Sequence, residues 1–303
     1  MFIEKRKLKN NTKYYLVHSF RDENNKVTKL RKFLGSNLTE EELKLKEKKA
    51  KEIIHQQIEL MKTNIFEFSL SDKEISSLNK YSEKIKITHF DEKDWNQFTE
   101  EFVYNTNAIE GSTVLQEEIS KILQKKQDLN AEEIETKGVA KAIKFIRITK
   151  QDLSLNLILK LHELCFKGSK EFAGKFRTVE VIIRGRNGEI IHAGTPVKEL
   201  QKELNEFIKW YKKNKTKFEP LTLASIIHNQ FEDMHPFQDG NGRVGRLLLN
   251  FILIKNNYPP INILLEDRAQ YYKSLYEYQH NDKLRPTLQF LIKQYKKQLK
   301  KIK

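Results

Sequence analysis

From residue 91 to the C-terminus, apolar side chains recur with the 3.6-residue period of an amphipathic helix, and this pattern is broken at one place. Trp95, Phe98 and Phe102 share one helical face, and Val114, Ile119, Ile122 and Leu123 mark another helix. Further helices are expected around 131–149, 155–167, 197–213, 221–234, 244–256, 268–279 and 285–300. The break is Val181 to Ile191, where Val-Ile-Ile and Glu-Ile-Ile flank Arg184-Gly185-Arg186-Asn187-Gly188. Asn-Gly is the strongest short signal for a hairpin turn. The expected fold class is therefore mainly α, a helical bundle from which one β-hairpin projects.

Ahead of the bundle, Tyr14 to Phe20 and Lys26 to Leu34 are rich in aromatic and branched residues and enclose a polar turn, Arg21 to Asn25. They read as a small hairpin or three-stranded sheet closed by Gly35. Thr39-Glu40-Glu41-Glu42 is a capping box opening a charged helix with apolar positions at Leu43, Ala50, Ile53, Ile54, Ile58 and Met61. The expected organisation is a basic β element at 1–35, a helical connector at 36–90 and the bundle at 91–303. No internal repeat, Pro-rich linker or heptad array appears.

The net charge of +15 is unevenly spread. Residues 1–35 hold ten Lys/Arg against three acids and residues 293–303 hold six Lys and no acid, so the two ends carry thirteen of the fifteen charges. A nucleic-acid partner would have to use those ends, most plainly the basic N-terminus; solvated Lys-rich segments are the simpler alternative. The one cysteine, Cys165, excludes an internal disulfide and falls in the apolar pattern of Leu157, Leu161 and Leu164 as a small core residue. Apolar runs are far shorter than the ~20 residues a bilayer span requires, and no signal-peptide plan is evident. The expectation is a cytoplasmic protein with no membrane partner.

Chemistry concentrates in His235-Pro236-Phe237-Gln238-Asp239-Gly240-Asn241-Gly242-Arg243-Val244-Gly245-Arg246. Helical period precedes it (Ile226, Ile227, Phe231, Met234) and follows it (Leu247 to Ile254), so it is a loop between two helices. Gly240 and Gly242 permit a tight turn in which backbone N–H groups converge at a helix N-terminus, a cradle for phosphate. Arg243 and Arg246, three apart, are expected to reach one side of that cradle. Asp239 at its mouth suits Mg²⁺ held against phosphate oxygens, and His235 suits a proton acceptor for an attacking hydroxyl.

Gly240 to Gly245 also satisfies the dinucleotide-binding GxGxxG, with Glu266 at the distance of a ribose acid. That fingerprint needs a strand before the glycines, whereas a helix precedes these. No Gly-Lys-Ser/Thr follows, so a P-loop is excluded. His228 and His235 lack a third zinc ligand nearby, and His162-Glu163 lacks the second His of HExxH.

The loop resembles the Fic-domain signature HxFx(D/E)GNGRxxR at every specified position, and on it the chain is similar to the Fic protein adenylyltransferase family over roughly residues 91–295. The resemblance implies a compact helical bundle with one hairpin, the flap, here about 181–192. It implies transfer of AMP from ATP to a Ser, Thr or Tyr hydroxyl of a target protein lying along the flap, with Mg²⁺, or Mn²⁺ in its place. By position it makes His235 the general base and Asp239 the metal ligand. Gly240, Asn241, Gly242 and Arg243 become the α/β-phosphate cradle, with Gly245 beside it, and Arg246 the γ-phosphate partner. Phe237 would be a buried brace. Tyr271 and Tyr272 would stand beside the base and sugar, Ile190, Ile191 and His192 over the nucleotide, and Gln279 where relatives often carry Asn.

A second segment, Thr106-Asn107-Ala108-Ile109-Glu110-Gly111, places a carboxylate at a helix C-terminus, where it opposes the dipole and needs a cation. It resembles the family's inhibitory motif (S/T)xxxE(G/N), which implies that Glu110 forms a bidentate pair with Arg246 and fills the γ-phosphate position. Thr106 and Gly111 complete that motif. Three alternatives stay open: removal of AMP with Glu110 as base, transfer of UMP, GMP or phosphate, and a nucleic-acid-binding role for the N-terminal element. Self-modification and a homodimer are further expectations of the resemblance.

Overall fold

Asp91 and Asn130 each accept from the backbone N–H three residues on, while the acids there, Asp94 and Glu133, reach back to the cap. These two capping boxes set where the first long helices of the bundle begin. In the computed structural model, which describes residues 1–8, 11–21, 27–62, 91–184, 190–216, 218–281 and 283–301, ten helices and five strands occur among the described residues. Strands β1 (Phe2–Leu8), β2 (Asn11–Arg21) and β3 (Val27–Ser36) precede α1 (Glu40–Lys62). The bundle comprises α2 (Glu92–Ile109), α3 (Ile119–Gln124), α4 (Ala131–Ile148), α5 (Leu155–Phe166), α6 (Val197–Asn214), α7 (Pro220–Met234), α8 (Asn241–Lys255), α9 (Arg268–Asn281) and α10 (Arg285–Lys301). Short 3-10 turns at Gln116–Glu118 and Leu265–Asp267 lead into α3 and α9.

Helix α8 is the axis of the bundle: every residue from Arg243 to Ile254 is buried, and α7, α5, α4 and α2 pack around it. The core runs from Trp95, Phe98 and Phe102 through Leu161 and Phe231 to Leu291. Each such side chain contributes about 1.5–3 kcal/mol by leaving water. Helices α4 and α5 meet at Gly138, where a Cβ would lie 2.3 Å from the Cys165 carbonyl. Cys165 is fully buried, as its apolar pattern requires, and burial pushes its thiol up to about 12.

The hairpin appears as β4 (Ile182–Arg184) and β5 (Ile190–Ala193), antiparallel, with Ile183 opposite His192. Its second strand runs past Ile191 to Ala193, and a register shift falls between Ile183 and Arg184. Its turn, 185–189, lies outside the described residues, as do the 22–26 turn and the 63–90 part of the connector.

The N-terminal sheet is three-stranded and antiparallel, in the order β1-β2-β3. Strand β1 has no counterpart among the sequence segments with β pattern. One face carries Ile3, Tyr14, Leu16 and Leu30 against Ala50 and Ile54 of α1, a small core of its own. The other face meets the bundle through charge: Arg31 lies 3.0 Å from Glu199 and 3.5 Å from Glu203 of α6, and is also 3.2 Å from Glu4 of its own sheet. Phe33 packs edge-on against His280 of α9.

Candidate active site

Helix α7 stops at His235, which caps it in the left-handed conformation (φ 50°, ψ 60°) while its N–H still donates to the Phe231 carbonyl at 3.0 Å. A histidine there carries a small strain that surrounding contacts must hold. The next residues are braced from inside. Phe237, fully buried, stacks on His162 at 3.8 Å between centroids and on Phe176 at 5.3 Å. Asn241 spans the loop, accepting from the Phe237 N–H and donating to the Phe237 carbonyl, both at 2.8 Å. His162 accepts from the Gly174 N–H through Nδ1, so the proton sits on Nε2, which donates to the Asp239 carbonyl at 3.1 Å. Burial holds that imidazole neutral, down to about 4.

The His235 ring is oriented the same way. Its Nδ1 is 3.2 Å from the Glu232 carbonyl, which can only accept, so Nδ1 carries the proton and Nε2 keeps its lone pair. Burial holds the imidazole below its ordinary value, against the upward pull of that hydrogen bond and of Glu110. A neutral imidazole with a free Nε2 is what a general base requires.

At Gly240 the chain turns with φ 85°, packed so closely on Phe166 that a Cβ would lie 2.3 Å from the ring. No side chain caps α8 there, so its first N–H groups have no partner within the helix. It is here that the glycine pattern leads one to expect a phosphate cradle. Asp239 stands beside it, half-exposed, 3.1 Å from the Lys170 ammonium and held below the usual carboxylate range by Arg243 and Lys170 in the face of partial burial. An ionised, accessible carboxylate at a phosphate cradle fits Mg²⁺, which takes one or two protein carboxylates and completes its shell with phosphate and water. Lys170 already places a positive charge there. Among the described residues no group of three His, Cys, Asp or Glu could hold a metal ion.

The two loop arginines diverge, contrary to the expectation of one shared side. Arg243 lies over the Phe166 ring and pairs with Glu135 of α4. Arg246 turns to α2, because a carboxylate waits for each on a different helix. Arg246 donates through Nε to Thr106 Oγ1 at 2.8 Å and through one terminal nitrogen to the Thr106 carbonyl at 2.9 Å and Glu110 Oε1 at 2.7 Å. The pair with Glu110 is thus single-pronged, not bidentate: Thr106 takes Nε and shares the terminal nitrogen that meets Glu110, and the other terminal nitrogen faces Tyr271. The guanidinium side chain is 2% exposed and the carboxylate 30%. Glu110 caps α2 as expected, and Gly111 follows at φ 94°. Its Oε1 also lies against Gly242, where a Cβ would come within 2.2 Å of it. The carboxylate therefore rests on the first turn of α8.

Beneath Arg246 runs a buried polar layer. Tyr271, 1% exposed, offers its hydroxyl to Arg246 at 3.5 Å and to His228 Nε2 at 2.9 Å. It supports the arginine from below, whereas the half-exposed Tyr272 faces outward and donates to the Ile109 carbonyl at 3.2 Å. Gly245 faces this layer too: a Cβ there would meet Glu232 Oε1 at 2.2 Å. Glu232 is buried, that oxygen has no hydrogen-bond partner, and burial pushes its carboxyl up to about 8. Gln279 donates to the Glu232 carbonyl at 3.4 Å, next to the turn that bears His235.

On the flap, Ile191 is exposed and His192 is buried, its Nε2 2.8 Å from the Asp233 carbonyl and its ring 6.1 Å from that of His235. Ile190 is in β5; its side chain lies outside the described residues. Glu135, Lys170, Arg177, Thr195 and Glu232 all bear on the site and carry no motif; burial and spatial neighbours reveal them.

Residues 152–253 match the model of the Fic/DOC family. The chain is similar to the protein adenylyltransferase Fic of Nematostella vectensis, 29% identical over 201 residues, which is 63% of this chain and 45% of that protein. It is 32% identical over 205 residues to the protein adenylyltransferase fic-1 of Caenorhabditis elegans, covering 63% of this chain and 39% of that protein. The matched stretch spans less than half the length of these curated relatives. A solved structure of C. elegans Fic-1 superposes with a TM-score of 0.63 at 26% identity, over 76% of this chain and 70% of that one.

Proposed function

We propose that the chain, whose residues 152–253 match the Fic/DOC family model, transfers AMP from ATP to a Ser, Thr or Tyr hydroxyl of a target protein. The observation that carries the reading is His235, its Nε2 free, directly before an uncapped helix N-terminus flanked by Asp239 and Arg246.

In this reading the triphosphate lies over Gly240 to Arg246, with N–H groups of α8 and the helix dipole on the phosphate oxygens. Asp239 would hold Mg²⁺, which neutralises charge on the phosphates. His235 Nε2 takes the proton of the target hydroxyl. The oxygen attacks the α-phosphorus, the bond to the bridging oxygen breaks, and pyrophosphate leaves. Positioning and charge stabilisation supply most of the acceleration in such transfers. Tyr272 and Gln279 border the nucleoside, and the target lies along the flap by strand addition, where Ile183 and Ile191 are exposed. Glu110 acts as a brake: its oxygen rests on Gly242 and holds Arg246, the γ-phosphate partner. We place this activity in the cytoplasm; among the described residues no helix is long and apolar enough to cross a membrane.

The test is a lysate labelled with ATP carrying the label on the α- or the γ-phosphate, using Glu110→Gly protein and the same protein with His235→Ala. Protein-bound label from the α-position alone, lost with His235→Ala, is expected. Label from the γ-position alone makes it a kinase, and no label from either position removes the reading. One observation favours a second activity at the same site: the Glu110 carboxylate is 30% exposed and so can meet water. Release of AMP from modified protein by wild type and not by Glu110→Gly would identify it.

A further inference from the structure

Arg177 lies between α5 and β4, outside every motif of the loop, and its side chain has no exposed surface. Its guanidinium is spent almost wholly on backbone carbonyls. Nε donates to His235 O at 2.7 Å, one terminal nitrogen to Val179 O at 3.0 Å, and the other to Thr195 O and, at 3.4 Å, to Met234 O. The main chain follows: the Arg177 N–H donates to Pro236 O at 3.0 Å and the Thr195 N–H to Met234 O at 3.1 Å. The nearest carboxylate, Glu180, is 3.7 Å away and largely exposed.

Three of these acceptors, the carbonyls of Met234, His235 and Pro236, are at the end of α7 or just beyond it, the groups a helix end leaves unsatisfied, while Val179 O and Thr195 O tie the same guanidinium to the segments on either side of the hairpin. A cation is favoured there by the helix dipole as well. The left-handed turn at His235 is thereby fixed from one side by Arg177 and from the other by Gly194, where a Cβ would lie 3.0 Å from the His235 Cβ and 2.9 Å from the guanidinium. There is no slack for a bulkier strand or a shorter cation.

We propose that Arg177 is the positioning residue of the catalytic histidine: it clamps the C-terminus of α7 so that the His235 imidazole is held at one place and orientation in front of the phosphate cradle. This deepens the adenylyl-transfer reading and rests on it. The same placement sets a permanent positive charge beside the ring and lowers its proton affinity. The other groups acting on the ring are Glu110 from α2 and Asp239 from the loop, which raise it, and His192 of β5, whose ring is 6.1 Å away.

The test uses the full chain with Arg177→Met, which removes charge and fork, and Arg177→Lys, which keeps the charge alone. The imidazole of His235 is titrated by NMR without nucleotide, its signal identified by its absence in His235→Ala. In folded Arg177→Met the midpoint is expected to move up, and in Arg177→Lys to stay near wild type. In a Glu110→Gly background Arg177→Lys is expected to lower kcat for AMP transfer about 10- to 100-fold, since a small misplacement of a reacting group costs that much. The KM for ATP is expected to stay the same because Arg177 touches nothing in the cradle. A His235 midpoint in folded Arg177→Met identical to wild type overturns the proposal, and so does Arg177→Lys turning over at the parental kcat. If Arg177→Met does not fold, the kcat and KM of Arg177→Lys decide alone. Absence of AMP transfer from the Glu110→Gly parent counts against the adenylyl-transfer reading, while the titration still decides the clamp.

Discussion

His235 and Glu232 are three residues apart at the end of α7, and burial shifts both toward their neutral forms, the imidazole down and the carboxyl up. For His235 this predicts a pH profile: kcat/KM holds level as pH falls through 6.5, the ordinary imidazole value, and declines only below it. A midpoint at or above 6.5 in the initial rates contradicts the neutral base. For Glu232 the consequence is in stability. Between about 4.5 and about 8 the folded protein keeps a proton that the unfolded chain has lost, so stability falls as pH rises through that window. Glu232→Gln is expected to flatten this slope in chemical denaturation, and an unchanged slope would show the carboxyl is already ionised when folded. His235, Asp239 and the glycines were legible because they are contiguous and chemically specific. Arg177, Glu135, Lys170 and Glu232 were not, because each acquires its meaning from a helix or loop far away in sequence. The single-pronged Glu110 pair is hidden for the same reason: nothing in the spacing shows that Thr106 and Tyr271 share the remaining donors of Arg246.

Among elements, the long helices follow directly from apolar period and capping residues, and they lie where that pattern puts them. Strand β1 escaped because its Lys- and Arg-rich alternation, Phe2 to Leu8, looks like a solvated terminus until β2 pairs with it. Two glycines now acquire roles. At Gly138 an added methyl would enter the Cys165 carbonyl, backbone that cannot swing aside, so Gly138→Ala is expected to cost about 1–3 kcal/mol or more through overpacking of α4 on α5. A melting temperature equal to wild type would mean the helices part freely. At Gly242 a methyl would enter Glu110 Oε1. Gly242→Ala is therefore expected to unseat the carboxylate and narrow the cradle together, giving weaker ATP binding in calorimetry and no gain in transfer. Activation equal to that of Glu110→Gly would show the cradle lies elsewhere.

At the scale of the whole molecule, the described residues form two cores, one inside the bundle and one between the sheet and α1, joined by the charged contact of Arg31 with Glu199 and Glu203 of α6. Charge distribution alone sets a basic N-terminal segment apart in the sequence, but contacts such as Arg31 with α6 and Phe33 with His280 of α9 leave no period to read. The central claim is that the same arginine serves the γ-phosphate when the site is active and Glu110 when it is at rest. It is tested most directly by initial rates of AMP transfer, measured over a range of ATP concentrations for wild type, Glu110→Gly, Arg246→Ala and the double variant. A charge-assisted hydrogen bond contributes about 1.5–3 kcal/mol, and with one partner 30% exposed solvent screening favours the lower end. Glu110→Gly is therefore expected to raise the rate roughly tenfold or more, with Arg246→Ala inactive and the double variant losing the gain. Glu110→Gly transferring AMP at the wild-type rate at every ATP concentration, or Arg246→Ala activating as strongly as Glu110→Gly, would contradict the account.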